Sequence, residues 1–168
     1  MSRRPLYRGR VVDFGLEDIV LPNGRPITLE IVRHPGASAV VPLHDDGTVT
    51  LVHQHRHAAG GLIYEIPAGV LAPGEDPRDC AAREMAEEVQ LQATTLTHLV
   101  TLHTTPGFTD ERIHVYLATG LSPVAGAPEE DEVIEVVRLP VAEVLAMIDR
   151  GELTDGKTIA GLLLALRR

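Results

Sequence analysis

Three glutamates on one predicted helix are the residues whose types and spacing most directly suggest chemistry. Glu87 and Glu88 lie three and four residues after Glu84. At about 100° per residue, the three side chains share one face of a helix. Like charges at this spacing repel, and a hard divalent cation such as Mg²⁺, which prefers oxygen ligands, would relieve the repulsion. The competing interpretation is an acidic face exposed to water and softened by Arg83.

The chain before this helix predicts a strand and a loop that deliver the acidic face. Residues 62–67, LIYEIP, are strand-like, and a Pro73-Gly74 turn follows Gly69. Glu75, at the end of this turn, can reach back to Arg83. The pattern therefore predicts a strand–loop–helix unit.

The helix itself has clear sequence signals. Asp76 is a good N-cap, and Pro77 suits the first helical position. The run 78–91 contains few helix breakers, so we expect the helix to continue through it. The residues expected to pack inward, on the side roughly opposite the glutamates, are Ala82, Met85 and Val89.

The remaining elements predict an α+β fold. The first 40 residues are strand-like, with hairpins expected in two places. One hairpin turns at Asn23-Gly24, and the other joins residues 38–43 to 48–54. Further strand-like and helical segments follow the acidic helix. The strand-like ones are 97–104, 112–120 and 133–140, and the helical ones are 141–152 and 156–168.

Composition excludes several classes of function. The chain has 168 residues, enough for one domain, and a net charge of −9, which disfavours general nucleic-acid binding. No apolar run approaches the roughly 20 residues that a membrane span needs, so we expect no membrane partner. Lys157 is the only lysine, and aromatic residues make up 3% of the chain. The single cysteine, Cys80, excludes an intrachain disulfide and is compatible with a cytoplasmic location.

The stretch from Gly69 to Leu91 resembles the sequence box of the Nudix hydrolase family. Gly69 is followed after five residues by Glu75, and after seven more by the run Arg83-Glu84-Met85-Ala86-Glu87-Glu88-Val89-Gln90-Leu91. One position departs from the box, because the family usually has glycine where this chain has Gln90. That glycine is expected to end the helix with a positive φ. The substitution removes no acidic residue.

Features outside the box are similar to the ADP-ribose pyrophosphatase branch of this family. One is Gln54-His55-Arg56 followed by residues 65–69, and the other is the loop 105–111, TPGFTDE. Arg56 would bind phosphate, because a guanidinium pairs its donors with phosphate oxygens. Each feature also has a simpler interpretation, as a surface strand residue or a turn between strands. The substrate-binding residues implied are Arg56, Pro106, Gly107, Phe108 and Glu111.

The resemblance also implies a metal site and a general base. The implied metal ligands are Glu84, Glu88, Glu132 and the carbonyl of Ala68, with Glu87 as a further ligand or helper and Arg83 bracing the carboxylates. The metal would be Mg²⁺, with Mn²⁺ or Zn²⁺ as substitutes. The base would be Glu130, in the acidic loop 129–132. The competing interpretation of this loop is a solvated run of charge.

The resemblance implies a Nudix-type α/β/α sandwich around a mixed sheet, in a domain covering residues 39–168. Residues 1–38 would form antiparallel strands that contribute to a homodimer and its substrate site, where Tyr7 and Phe14 are candidate partners for an adenine ring. The implied reaction is metal-dependent hydrolysis of ADP-ribose to AMP and ribose 5-phosphate. Two alternatives are a pyrophosphatase for another nucleoside diphosphate sugar and a non-catalytic ADP-ribose sensor.

Overall fold

The computed structural model describes residues 2–126 and 134–167, in which the strands form three sheets. The strands are β1 (Ser2–Arg8), β2 (Asp13–Val20), β3 (Pro26–Arg33), β4 (Ala37–Pro42), β5 (Thr48–Arg56), β6 (Gly61–Glu65), β7 (Ala68–Val70), β8 (Leu91–His103), β9 (Arg112–Pro123) and β10 (Ile134–Pro140). The helices are α1 (Pro77–Val89), α2 (Val141–Asp149) and α3 (Gly156–Ala165). Within these ranges, no helix has the length and apolar character that crossing a membrane requires.

A mixed sheet with strand order β7-β4-β9-β8 lies at the centre of the molecule. Its β4 and β9 are parallel, and the outer pairs are antiparallel. Every residue of β4 is buried, which requires cover on both faces. Ala39 and Val41 belong to the hydrophobic cluster that includes α2 and α3, whereas Val40 belongs to the cluster that includes α1. The predicted α+β class and the α/β/α sandwich around a mixed sheet are therefore confirmed.

The second predicted hairpin is wrong, although its turn forms. The amide of Gly47 donates to the carbonyl of His44 at 3.0 Å, and a single bridge joins Leu43 to Val49. Beyond this bridge the two strands separate into different sheets. The reason is that β4 pairs on both edges, with β7 and β9, while β5 pairs with β10 and β6. The alternating sequence predicted two strands and a turn correctly, but not their partners.

The N-terminal strands form a separate antiparallel sheet with order β1-β2-β3. The predicted turn at Asn23-Gly24 is confirmed, with Gly24 at φ 83°. The sheet meets the rest of the chain at the end of β3. There the amide of Val32 donates to the carbonyl of Phe108 at 2.8 Å, and Arg33 Nη1 lies 2.9 Å from Asp110 Oδ2.

Gln90 ends α1 in the left-handed conformation predicted for this position. Its φ and ψ are 55° and 39°, and among the described residues no other non-glycine has a positive φ. Its amide donates to the carbonyl of Ala86 at 3.2 Å, and its carbonyl accepts from the amide of Val124 at 3.0 Å. The backbone thus takes the course expected with glycine, at the energetic cost of a β-carbon.

We expect Gln90→Gly to stabilise the fold. A left-handed conformation costs an L-residue about 1–2 kcal/mol, whereas glycine gives the unfolded chain extra freedom worth about 0.4–1 kcal/mol. The free energy of unfolding should therefore rise by about 0.5–1 kcal/mol, measured by urea denaturation. The matched control is Gln92→Gly in β8, which should lower stability because glycine weakens a strand. Equal losses in both variants would contradict the strain at Gln90.

Candidate active site

Helix α1 is built to present acidic side chains to the neighbouring strand. The Asp76 carboxylate accepts from the amide of Arg78 at 2.8 Å, and Pro77 opens the helix, as predicted. The helix packs inward through Ala81, Met85 and Val89. Ala82, which we expected to be buried, is only half-buried, so its neighbour Ala81 takes that place in the core. Ala81 lies four residues before Met85, which is itself four residues before Val89, so these three side chains share one face of α1.

Two of the three glutamates are buried, which argues against a simple solvated face. Glu84 is 9% exposed and Glu88 is 3% exposed, while Glu87 remains partly open to solvent. The amide of Ala68 donates to Glu88 Oε2 at 3.1 Å, so the helix is bonded to β7 through this carboxylate. Ionised carboxylates are rarely buried unless cations or hydrogen bonds compensate. The burial of Glu84 and Glu88 therefore favours a binding site over a solvated acidic surface.

Gly69 makes room for the Glu84 carboxylate. A β-carbon placed on Gly69 would lie 1.8 Å from Glu84 Oε1 and 2.0 Å from its Cδ. Only glycine allows the carboxylate to rest against the backbone of β7 in this way. Gly69 and Glu84, two positions of the predicted box region, thus meet at the contact between β7 and α1.

Arg83 is the cation that holds the acidic residues together. Its Nε donates to Glu75 Oε1 at 2.8 Å, and its Nη1 donates to Glu84 Oε1 at 2.6 Å and to Glu87 Oε2 at 2.9 Å. The predicted contact between Glu75 and Arg83 therefore forms. The hydrogen bond from Arg83, with a further one from the amide of Ala72, lowers the pKa of Glu75 to about 2. Hydrogen bonds to Glu75 above all, and to Glu84 and Glu87, raise the pKa of Arg83, so this group stays charged.

Cys80 is packed against the same strand and has no catalytic signature. Its thiol is fully buried and lies 3.7 Å from the carbonyl of Gly69. Burial raises the pKa of the thiol to about 11, with the nearby Glu75 adding to the effect. Since the thiolate is the reactive form, Cys80 is inert at neutral pH.

A cleft of about 670 Å³ opens beside Arg83, Glu84 and Glu87. Six of the residues predicted from the sequence line it, namely Arg56, Ala68, Arg83, Glu84, Glu87 and Glu111. Residues that sequence reasoning missed also line it: Arg10, His34 and Lys157. The cleft thus combines carboxylates on the α1 side with cations contributed by other elements.

Glu111 reaches the cleft from the start of β9 and is held by neighbouring side chains. Its Oε2 accepts from Thr104 Oγ1 at 2.8 Å, and its Oε1 lies 3.5 Å from His34 Nδ1. The amide of Gly36 donates to the same His34 nitrogen at 3.0 Å, so Nδ1 acts as an acceptor there.

Pro106, Gly107 and Phe108 do not line the cleft. Their loop docks on the N-terminal sheet through the hydrogen bond between Val32 and Phe108, and the Phe108 side chain is 52% exposed. Substrate contact by these three residues stays a prediction. Within the described chain, the hydrogen bond between Val32 and Phe108 gives this loop a structural role at the junction with β3.

Glu130 and Glu132 lie outside the described residues, as does the rest of the acidic loop. The described chain on either side of it runs beside α1. A β-carbon on Gly126 would lie 1.9 Å from the carbonyl oxygen of Ala86, and Ile134 packs against the cluster that contains Met85. The flanks of the loop are thus fixed close to the acidic helix.

The donor atoms present fit a hard divalent cation. The oxygen atoms of Glu84, Glu87 and Glu88, with the carbonyl of Ala68, are the type that Mg²⁺ prefers. In residues 2–126 and 134–167, no three acidic, histidine or cysteine side chains already converge as a ligand cluster. Arg83 holds two of the carboxylates instead. Binding would therefore include backbone oxygen, water or substrate oxygens, as is usual for Mg²⁺.

Comparisons with known proteins agree with this geometry. The model of the NUDIX domain matches residues 32–162. The chain is 40% identical over 160 residues to an ADP-ribose pyrophosphatase of Bacillus subtilis, covering 94% of this chain and 86% of that protein. It is 42% identical over 167 residues to an ADP-ribose pyrophosphatase of Mycobacterium tuberculosis, covering 97% and 80%.

The fold is also shared with a solved structure. A crystal structure described as an ADP compounds hydrolase superposes with a TM-score of 0.85 at 23% identity, covering 99% of this chain and 91% of that one. At that identity the likeness concerns the fold. The domain match over residues 32–162 and the two relatives above confirm the resemblance noted in the sequence: the chain belongs to the NUDIX family.

Proposed function

We propose that this chain hydrolyses the pyrophosphate bond of ADP-ribose, giving AMP and ribose 5-phosphate, in a reaction that requires Mg²⁺. The observation that carries the proposal is the packing of Glu84 and Glu88 against β7, with Glu84 lining a cleft to which other elements contribute cations. Two relatives at 40% and 42% identity that are named ADP-ribose pyrophosphatases support the choice of substrate.

The metal would be held on the α1 side of the cleft. Glu84, Glu88, Glu132 and the carbonyl of Ala68 are the proposed ligands, with Glu87 as a helper and with Mn²⁺ or Zn²⁺ as possible substitutes for Mg²⁺. When bound, such an ion neutralises phosphate charge and lowers the pKa of a water. Arg83 orders the Glu84 and Glu87 side chains beside this position through hydrogen bonds from its Nη1.

Other residues would bind the substrate and accept the proton of the attacking water. Arg56 binds a phosphate, while Glu111, Pro106, Gly107 and Phe108 contact the nucleoside or the sugar. Water attacks one phosphorus, the bridging P–O bond breaks, and the two phosphates separate. Glu130 accepts the proton of the attacking water.

Two alternative functions have less support. A pyrophosphatase for another nucleoside diphosphate sugar would use the same carboxylates and phosphate contacts, and only the recognition of base and sugar would differ. A sensor that binds ADP-ribose without cleaving it has no need of buried carboxylates on a charged network. The intact set of Arg83, Glu84, Glu87 and Glu88 therefore favours an enzyme.

The substrate assignment is tested by a panel of nucleoside diphosphate compounds supplied with Mg²⁺. We expect ADP-ribose to be cleaved with the highest kcat/KM, and the products to be AMP and ribose 5-phosphate by chromatography. Removal of the metal with EDTA should abolish turnover, and Mg²⁺ should restore it. Faster cleavage of a nucleoside triphosphate, a dinucleoside polyphosphate or a different diphosphate sugar would overturn the choice of ADP-ribose.

Glu88→Gln should remove most of the activity while leaving the fold intact. The amide keeps the shape and one acceptor oxygen for the amide of Ala68, but it lacks the charge that a cation needs. Loss of several kcal/mol of transition-state stabilisation corresponds to a fall in kcat of about a thousandfold. Glu143→Gln on the exposed side of α2 is the matched control and should retain wild-type activity. Near-normal turnover by Glu88→Gln at limiting Mg²⁺ would contradict the role of Glu88 as a metal ligand.

The roles proposed for Glu130 and Glu132 can be separated by titrating Mg²⁺. Loss of a general base lowers kcat by roughly a hundredfold to ten-thousandfold with little change in substrate affinity. Loss of a metal ligand also raises the Mg²⁺ concentration needed for half-maximal activity. We therefore expect Glu132→Gln to raise the Mg²⁺ concentration needed for half-maximal activity. Glu130→Gln should lower kcat and leave that concentration unchanged. If Glu130→Gln retains turnover within a few-fold of wild type, the base is another residue, with Glu111 or Glu129 next in line.

We also propose that residues 1–38 form a homodimer and that residues 39–168 form the catalytic domain. Every residue of β1 is exposed, and Leu6 and Tyr7 are 54% and 62% exposed. The loop after β1 contributes Arg10 to the cleft, so the N-terminal region lies beside the proposed site. A partner that covers this region would bury apolar surface.

The double change Leu6→Asp and Tyr7→Asp is expected to convert the dimer to a monomer, because two charges would oppose burial of β1. The mass in solution is measured by light scattering. Val136→Asp in β10, which is 49% exposed in another sheet, is the control and should remain dimeric. A fully active wild-type monomer would contradict the proposed assembly.

Composition supports a proposal for the partner and the cellular location. A net charge of −9 disfavours a nucleic-acid partner, so the proposed partner is a small nucleoside diphosphate. The one cysteine is a free buried thiol, which is compatible with a reducing cytoplasm. We propose the cytoplasm as the location on this basis.

A further inference from the structure

A buried carboxylate outside the predicted site holds two cations at the edge of the cleft. Glu65, at the end of β6, is 3% exposed. Arg56 Nε donates to Glu65 Oε2 at 2.7 Å, and Lys157 Nζ donates to Glu65 Oε1. The two cations come from β5 and α3, which are far apart in sequence, and Glu65 brings them side by side.

The position of Lys157 is fixed by the start of α3. The Asp155 carboxylate caps the helix by accepting from the amide of Thr158 at 2.9 Å, and it lies 3.1 Å from Lys157 Nζ. The fully buried hydroxyl of Thr158 accepts from the amide of Ile66 at 2.8 Å. Ile66 lies two residues before Ala68, so α3 is bonded directly to the segment that enters the proposed metal site.

Both cations retain donors that the described residues do not use. A lysine ammonium has three protons, and Glu65 and Asp155 account for two of them. In the described part of the chain, the Arg56 guanidinium forms its hydrogen bond through Nε, which leaves the two Nη groups. A guanidinium fixed in this way presents a fork that fits phosphate oxygens.

Arg56 and Lys157 line the same cleft as Glu84 and Glu87. A diphosphate carries negative charge on both phosphates. A metal held by the carboxylates would neutralise part of this charge, and Arg56 and Lys157 would neutralise another part. Because Glu65 and Asp155 already order the Lys157 side chain, its binding to phosphate would lose little conformational entropy.

We propose that Lys157 is a second phosphate-binding residue, paired with Arg56 and anchored by Glu65, and that it binds the diphosphate group of the substrate. This inference rests on the proposed function for its substrate class. The competing role for Lys157 is purely structural, as an ion pair that fastens α3 to β6.

Two substitutions separate these roles. Lys157→Gln removes the charge but keeps a donor for Glu65, and Lys157→Arg keeps the charge. Arg138→Gln, which breaks an ion pair with Asp46 outside the cleft, is the matched control. Binding of methylenediphosphonate, a diphosphate that cannot be hydrolysed, is measured in EDTA by calorimetry. The kcat and KM for ADP-ribose are measured with Mg²⁺, and melting temperatures are recorded for all proteins.

We expect Lys157→Gln to weaken diphosphonate binding about tenfold or more, because a hydrogen bond to a charged group is lost. KM should rise more than kcat falls, Lys157→Arg should recover most of the affinity, and Arg138→Gln should bind as wild type. Unchanged diphosphonate affinity in Lys157→Gln, whatever its melting temperature, overturns the inference. Weaker diphosphonate binding in an enzyme that does not cleave ADP-ribose would support Lys157 and refute only the proposed substrate.

A measurement on the wild-type protein serves if Lys157→Gln does not fold. Lys157 is the only lysine, so an acetylating reagent can modify a single ε-amine. We expect methylenediphosphonate to slow acetylation of Lys157, read by mass spectrometry, while the terminal α-amine reacts at its usual rate. Equal rates with and without the diphosphonate would also overturn the inference.

Discussion

The placement of Arg83 among three carboxylates is the interaction on which the site depends. Its guanidinium bonds to Glu75, Glu84 and Glu87, so one cation offsets the repulsion within an acidic helix face. Surface ion pairs contribute little on their own, but these are partly buried and share one planar group with fixed donor directions. Arg83 thus orders the carboxylates of Glu75, Glu84 and Glu87 through hydrogen bonds to all three.

The layered fold makes this arrangement possible. A strand that is buried on both faces, β4, separates the cluster under α1 from the cluster under α2 and α3. Its edge partner β7 contributes the backbone at Ala68 and Gly69 against which the acidic side chains rest. Elements from both outer layers consequently reach the same cleft, with carboxylates supplied by α1 and an ammonium supplied by α3.

Local features of the fold and site could be predicted from the sequence, whereas contacts between distant segments could not. The cap at Asp76 and the turn at Gly24 follow from residue types within a few positions, and the left-handed end at position 90 follows from the resemblance to the Nudix box. The separation of β4 from β5 depends on partners that no local pattern specifies. Glu65 and Lys157 are 92 residues apart, and nothing in either neighbourhood points to the other. The lone lysine in an arginine-rich chain was the one available signal.

The backbone at Gln90 bears on how chains of this kind are recognised. Its φ of 55° lies in the left-handed region, which glycine adopts at the least cost and which this chain reaches with glutamine. A search pattern that fixes glycine at this place would reject this chain, although the backbone fulfils what the pattern encodes. A pattern written as a left-handed helix end followed by a strand would retain it. Such a description would also admit asparagine, which tolerates the same conformation. It would therefore recognise more of the sequences that can form this site.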